Sequence, residues 1–411
     1  MKMNYVVIGN GTAAAGCIEG IRSVDKQGVI TVVSQENHPV YCRPLISYYL
    51  EGKTDLEKMK YRDEDFYDKM NCTVLYGKTA EKIDKENQRV TLDDGSILSY
   101  TSLCCATGSS PFVPNIKGLD SVKNKFTFMT LDDTLSLEKV ITENSKVLIV
   151  GAGLIGLKCA EGLHKRVKKI TVCDLSDRIL SSILDKEAAQ IMQSHLEENG
   201  INFMLSDTAA EFNGNTALMK SGKKVNFDIL IMAVGVRPNT EIMKNIGADV
   251  NKGIIVNEKS ETSLENIYAA GDCTEYMDIS CSQKKIMAIL PNAYMQGFTA
   301  GINMAGAERT FNNAVPMNSI GFFGLHAMTA GSYDGTVLTE KTDKKLKKLF
   351  IKDGYLKGFI LVGDTEPVGI YTSLIREKTP LDSIDFEKLQ ETASFAIFSP
   401  EIRRQKFGGV I

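Results

Sequence analysis

Three short stretches of this sequence hold residues whose types and spacing can do chemistry. In "YVVIGNGTAAAG", Gly9 and Gly11 follow the apolar run Tyr5 to Ile8 and precede Thr12, Ala13 and Ala14. Glycines there let a backbone approach a pyrophosphate, and a helix opening next offers N–H groups and a positive dipole end. In "SKVLIVGAGLIGLKCAEGL", Gly151, Gly153 and Gly156 repeat the pattern after Val147 to Val150, with Leu154 and Ile155 opening the helix. In "VYCRPLISYYL", Cys42 is a candidate nucleophile and Arg43 a planar, permanently charged fork suited to phosphate.

The elements that must position these residues follow the same order twice. Each glycine cluster sits between an apolar run that reads as a buried parallel strand and a helical segment. A second strand then ends on a carboxylate. "VITVVSQE" ends at Gln35-Glu36, and "KKITVCDLSDRIL" carries Asp174 at its strand end. A carboxylate there accepts hydrogen bonds from a ribose. At Asp174 it favours a free 2′-OH and repels a 2′-phosphate, so NADH is expected over NADPH. Two fingerprints about 140 residues apart point to two dinucleotides. A protein with both FAD and NAD(H) moves a hydride between nicotinamide and flavin.

The totals agree with a soluble globular protein of two or three domains. The chain has 411 residues, 43% hydrophobic and 24% charged, with a net charge of −3. That implies no general pull toward nucleic acid or a membrane. Nine scattered cysteines form no CxxC and no Cys/His cluster, which argues against a disulfide framework and against a metal site. A reducing compartment fits best. The opening "MKMNYVVIGNG" leaves no room for a signal peptide, and no run of 18 apolar residues occurs, so a cytoplasmic location is expected.

Three further segments carry a resemblance: "LCCATGSSPFVP", "MAVGVRPNTE" and "ENIYAAGDCTE". With the two fingerprints, they make the chain resemble the FAD-dependent pyridine-nucleotide oxidoreductases of the glutathione-reductase superfamily over residues 1 to about 375. Within it the chain is most similar to NADH:rubredoxin reductases, the flavin segment of nitrite reductase and ferredoxin reductases. The resemblance implies an α/β fold with two Rossmann-like dinucleotide-binding domains and a small C-terminal α+β domain. The FAD domain would be discontinuous, 1–112 and 246–310, with the NAD domain, 113–245, inserted. Residues 311–385 would form the small domain, and 386–411 a helical tail whose end, "KFGGVI", is expected to fray. The sequence supports the small domain independently: "KKLFIKDGYLKGFILVG" reads as a hairpin turning at Asp353-Gly354.

The resemblance also implies site roles. Gly9, Gly11, Thr12, Ala13 and Ala14 would hold the FAD pyrophosphate, Gln35 and Glu36 the adenosine ribose, and Arg43 the phosphates. Ala80 would contact the adenine. Ala106, Thr107 and Gly108 would pass the phosphates, Gly271 and Asp272 the ribityl chain, and Asn292, Ala293 and Gln296 the pyrimidine end of the flavin. Gly151, Gly153, Leu154, Ile155, Gly156, Asp174 and Gly235 would bind NADH. Partners would be NADH and an acidic iron–sulfur protein or a larger redox complex, with the protein a monomer or homodimer.

Departures from the family pattern matter as much. Disulfide reductases carry CxxxxC and a C-terminal His–Glu pair, and neither is here. Single-cysteine relatives, such as CoA-disulfide reductases and NADH oxidases or peroxidases, keep their cysteine in a register that falls on Pro44, so Cys42 misses it by two residues. Many relatives pair a lysine after "RPxLS" with a glutamate on the NAD-domain helix. Here those positions are Tyr48 and Lys158. The pair is expected to have lost one partner, leaving Lys158 either to approach flavin N5 and O4 and stabilise the reduced ring or to sit solvated. Vicinal Cys104-Cys105 and the lone His38 and His326 read as packing or surface residues. The basic run "EKTDKKLKKLF" is a solvated hairpin face or a surface that steers an acidic carrier. The class that follows is an NADH:acceptor oxidoreductase. Its alternatives are a thiol enzyme working through Cys42 and an electron-input or redox-sensing flavoprotein subunit.

Overall fold

A computed structural model describes residues 3–391 and 393–406. These form two compact units. One runs to Val172 and includes Ala209–Met277 and Gln283–Asn312; the other comprises Cys173–Thr208, Asp278–Ser282 and the chain from Asn313.

The first unit is built on strand β1 (Asn4–Ile8), helix α1 (Thr12–Val24) and strands β2 (Val29–Ser34), β3 (Cys72–Tyr76), β4 (Ser102–Cys105) and Ile267–Ala269. The strands lie parallel in the order Ile267–Ala269, β4, β1, β2, β3. Tyr5, Val6, Val7 and Ile8 are all buried. A parallel sheet is covered on both faces, which is why its strands read as unbroken apolar runs.

Helix α1 packs against a helix near the end of this unit, Leu290–Met304. The two approach so closely that only glycine fits at the crossing. A Cβ on Gly297 would lie 1.9 Å from the Ala13 carbonyl oxygen, and one on Gly301 2.1 Å from that of Cys17. The glycines return the favour from α1, where Gly16 and Gly20 face the carbonyls of Tyr294 and Phe298. Arg62 braces the same pair: it bonds Glu19 of α1 at 2.6 Å, and Glu19 accepts the Tyr294 hydroxyl at 2.5 Å.

The second fingerprint sits on a second parallel group in this unit. Lys146–Val150 pairs Ile229–Met232, which pairs Lys125–Phe126. The helix after the fingerprint spans Leu154–Leu163. It packs on α2 (Ile46–Glu51), where Gly162 faces the Ser47 carbonyl. Two short strands, Ser109–Pro111 and Val236–Pro238, run antiparallel to each other.

The second unit contains a five-stranded antiparallel sheet in the order Met317–Phe322, Leu325–Gly331, Tyr355–Val362, Leu346–Lys352, Thr336–Lys341. Its central hairpin turns at Asp353-Gly354, as the sequence predicts, and both residues have positive φ, 54° and 76°. That combination is what a two-residue hairpin of matching twist demands. Leu349, Phe359, Leu361 and Tyr371 anchor its core. The tail contains helices Phe386–Glu391 and Pro400–Lys406, and the residues of "KFGGVI" expected to fray, from 407 on, lie outside the described residues.

Candidate functional site

Among the candidate FAD residues, Gly9, Gly11, Gln35, Glu36, Ala106, Thr107 and Gly108 fall on loops at the carboxyl ends of β1, β2 and β4, where ligands of open α/β sheets bind. The glycines of the first fingerprint divide the work. Gly9 has φ of 111°, and a Cβ on it would strike the Ala106 carbonyl at 2.1 Å, so its role is to let β1 and β4 end side by side. Gly11 is the N-cap of α1, and a Cβ there meets nothing within 4 Å. The open space at Gly11, beside the N–H groups of Thr12 and Ala13, fits a pyrophosphate. Ala14 is buried against the core and serves helix packing. Gly108 likewise faces open space with φ of 62°.

The second fingerprint repeats this division. Gly151 closes against Ala233, Gly156 closes against the Gly151 carbonyl at 2.1 Å, and Gly153 is open and caps its helix. Leu154 and Ile155 are half-exposed beside it, and Gly235 is exposed with φ of 106°. Asp174 is the last residue of strand Lys169–Asp174 and falls in the second unit, where its Oδ1 accepts the Ser176 N–H at 2.7 Å.

Glu36 and Arg43, assigned separately from sequence, are joined. Arg43 Nη2 donates to Glu36 Oε1 at 2.6 Å, and Nη1 donates to the Met129 carbonyl at 2.8 Å. Burial works against the guanidinium charge, but Tyr41, Glu36 and Asp272 outweigh it and hold Arg43 above its ordinary value. Asp272 is pushed up by burial, with Arg43 opposing. Gln35 is exposed beside Glu36, and Ala80 opens a strand, Ala80–Asp84, half-buried.

Several candidate residues bond to other segments of the chain. Gln296 is buried, and its Oε1 accepts from the Gly271 N–H at 2.9 Å and the Thr274 hydroxyl at 3.0 Å. It therefore fixes the Gly271-Asp272 turn. Thr107 donates to the Asn239 carbonyl at 2.7 Å, and Asn239 donates back to the Thr107 carbonyl at 2.8 Å. This couples the "ATGSS" and "GVRPN" segments. Asn292 and Ala293 are buried in the first turn of their helix, which Pro291 opens without forfeiting a hydrogen bond.

Lys158, one of the two departures from the family pattern, is bonded within its own helix. Lys158 bonds Glu161, three residues on along its helix, at 2.7 Å, and its ammonium stands 5.3 Å from the Tyr48 ring centre. Glu161 lies three residues on, a spacing that brings side chains together on one helix face.

Cys42 is half-buried, and burial pushes its thiol up, against a lesser pull from the Leu45 N–H. Cys104 and Cys105 are fully buried, and Cys273 donates to the Cys105 carbonyl at 3.5 Å. The basic run of the second unit is largely paired with acids there: Lys341 with Glu187, Lys345 with Asp364, Lys347 with Glu340, and Lys348 with Asp185 and Glu187.

Sequence reasoning missed Tyr41 and Tyr67. Tyr67 donates to Asn10, between the first two glycines, at 2.7 Å and accepts the Val40 N–H at 3.1 Å. No periodicity marks these tyrosines, because their partners are distant in sequence. Among the described residues no His, Cys, Asp and Glu cluster could hold a metal ion, and no helix is long and apolar enough to cross a membrane.

Comparison with known proteins agrees with this geometry. Residues 3–297 match the family described as Pyridine nucleotide-disulphide oxidoreductase, and residues 316–379 match the Rubredoxin NAD+ reductase C-terminal domain. The chain is 33% identical over 393 residues to the NADH-dependent phenylglyoxylate dehydrogenase subunit epsilon of Aromatoleum evansii, covering 92% of each. It is 32% identical over 391 residues to the assimilatory nitrate reductase electron transfer subunit of Bacillus subtilis, covering 92% of this chain and 50% of that one. It thus spans about half the length of that relative. A solved complex of putidaredoxin reductase with putidaredoxin shares the fold, with a TM-score of 0.88 at 22% identity over 95% of this chain and 99% of that one. Enzymes of this family use FAD and a nicotinamide dinucleotide, and the open glycines Gly11 and Gly153 fit the two groups. The chain belongs to the pyridine nucleotide-disulphide oxidoreductase family of NAD(P)H-dependent flavoenzymes.

Proposed function

We propose that this protein is an NADH:acceptor oxidoreductase that delivers electrons to an iron–sulfur carrier or a partner subunit. The observation that carries the reading is the state of Cys42. It is the one cysteine in the flavin-facing stretch, and burial raises its thiol rather than activating it. A thiol relay needs the opposite.

FAD, when bound, accepts a hydride from NADH and can give up its electrons singly. The chain's own residues bind and orient. Gly11 and the α1 N-terminus receive the pyrophosphate, Arg43 supplies a planar cation, and Glu36 accepts from the adenosine ribose. Lys158, held by Glu161, brings a positive charge that favours the reduced ring. Asp174 selects the free ribose hydroxyl of NADH. Arg178, four residues on from Asp174, is committed elsewhere, bonding Asp177 at 2.9 Å and the Ser181 and Leu184 carbonyls at 3.3 Å.

The names of two relatives, a dehydrogenase subunit and an electron transfer subunit, support an acceptor that is another protein. The test is to reduce the purified yellow protein with NADH and NADPH, then offer rubredoxin, ferredoxin, oxygen and CoA disulfide in turn. NADH should bleach the flavin faster than NADPH, and an iron–sulfur carrier should restore its colour fastest. Bleaching without turnover on any soluble acceptor would point to a subunit that works only in its complex. Fastest reoxidation by CoA disulfide would overturn the reading.

A further inference from the structure

We infer that Tyr41 is a positioning residue that aims Glu36 at the adenosine ribose, and so sets the affinity for the adenosine half of the flavin dinucleotide. This rests on the reading that Glu36 binds that ribose. The Tyr41 hydroxyl is a junction. It donates to Glu36 Oε2 at 2.6 Å and accepts the Leu131 N–H at 3.0 Å. Leu131 is the first residue of a helix, Leu131–Glu138, whose capping box satisfies the Asp133 N–H through Thr130 and the Thr130 N–H through Asp133. The Leu131 N–H is left by that box, and Tyr41 takes it. Accepting from the positive end of a helix polarises the hydroxyl and strengthens its donation to the carboxylate.

The ring does a second job. The Arg43 guanidinium lies 5.2 Å from its centre, and Arg43 holds the other Glu36 oxygen. Glu36 is thus fixed at both oxygens, with its remaining lone pairs available to a ribose. The segment bearing Tyr41 is itself pinned: Cys42 N–H bonds the Met59 carbonyl at 2.8 Å, and Tyr61 N–H bonds the Val40 carbonyl at 3.0 Å. Without the Tyr41 hydroxyl, Glu36 keeps its charge but loses a fixed direction.

The test is a double-mutant cycle on flavin release, using the holoprotein and the fluorescence of FAD freed on dilution. Tyr41→Phe keeps the ring and the shape and removes only the hydroxyl. It should weaken FAD about tenfold, the lower end for a hydrogen bond to a charged group. In a Glu36→Gln background the same change should cost less than about twofold, because the group it acts through is already impaired. Tyr67→Phe, which acts through Asn10 instead, should be additive with Glu36→Gln. Affinity for FMN, which lacks the adenosine half, should not change in Tyr41→Phe. Equal costs of Tyr41→Phe in both backgrounds, no cost in either, or an equal loss of FMN affinity would overturn the inference. Unchanged FAD affinity in Glu36→Gln alone would remove the ribose reading beneath it, a distinct failure.

Discussion

Replacing Cys42 by serine separates the thiol enzymes of this family from the electron carriers. The structure allows the size of the effect to be worked out in advance. The thiol is raised from an ordinary value of 9.0 by burial. At pH 7, therefore, Cys42 is thiolate less often than a free cysteine. Among the described residues no cation bonds its sulfur, and Arg43, its neighbour in sequence, directs its charge to Glu36 and Met129. Serine preserves the two backbone bonds that shape this turn, Cys42 N–H to Met59 and Leu45 N–H to Cys42. The expected result is NADH-dependent reduction of an iron–sulfur acceptor within about twofold of wild type, because hydride transfer to a flavin needs no thiol. A thiol relay would instead lose at least about a thousandfold, since a hydroxyl cannot form the required sulfur bond. The assay is steady-state NADH oxidation together with stopped-flow bleaching of the flavin. As a second reading, Cys42 should alkylate with iodoacetamide more slowly than glutathione at pH 7. A collapse of turnover in Cys42→Ser, or alkylation faster than glutathione, would refute the argument from burial.

Arg43→Met should leave Glu36 and Asp272 without their shared cation and weaken FAD by about 2 kcal/mol, roughly thirtyfold; this is discounted from the fully buried case because the side chain is 36% exposed. Flavin release on dilution measures it, and an unchanged affinity would remove Arg43 from the site. Lys158→Met should lower the flavin midpoint potential by about 20 mV, near 1 kcal/mol for two electrons, because Glu161 already offsets part of the charge; a potential equal to wild type would return Lys158 to a solvated role. Gly297→Ala should destabilise the first unit by at least about 2 kcal/mol, since its Cβ would sit 1.9 Å from a backbone oxygen that must move; thermal unfolding within error of wild type would contradict that packing. Burial pulls Glu19 up, but the Arg62 and Tyr294 hydrogen bonds outweigh it and hold the carboxyl below its ordinary value of 4.5. Its stabilising contribution is then present above pH 4.5 and lost as pH falls through the lower folded value. Glu19→Gln should therefore melt below wild type at pH 7, with the gap closing in acid.

What the sequence determined by itself was whatever depends on neighbours in the chain. The strand–glycine–helix order, the open glycines Gly11 and Gly153, the turn at Asp353-Gly354 and the two-dinucleotide reading all rest on backbone demands that a few adjacent residues must meet. Those demands leave a composition mark, because only glycine accepts the φ of Gly9 or Gly151 and only a short apolar run fits a doubly covered strand. The tertiary structure decided how the separate pieces meet. Glu36 and Arg43 become one unit by a direct ion pair, and Tyr41, whose hydroxyl reaches Leu131, 90 positions away, holds the second Glu36 oxygen. Gln296 supports Gly271, 25 positions earlier. Lys158 acquires a glutamate one helical turn on, and the lysine-rich hairpin acquires acids from a helix more than 150 positions before it. Side-chain hydrogen bonds between distant segments impose no spacing on the sequence, so they become legible only when the fold brings their ends within about 3 Å.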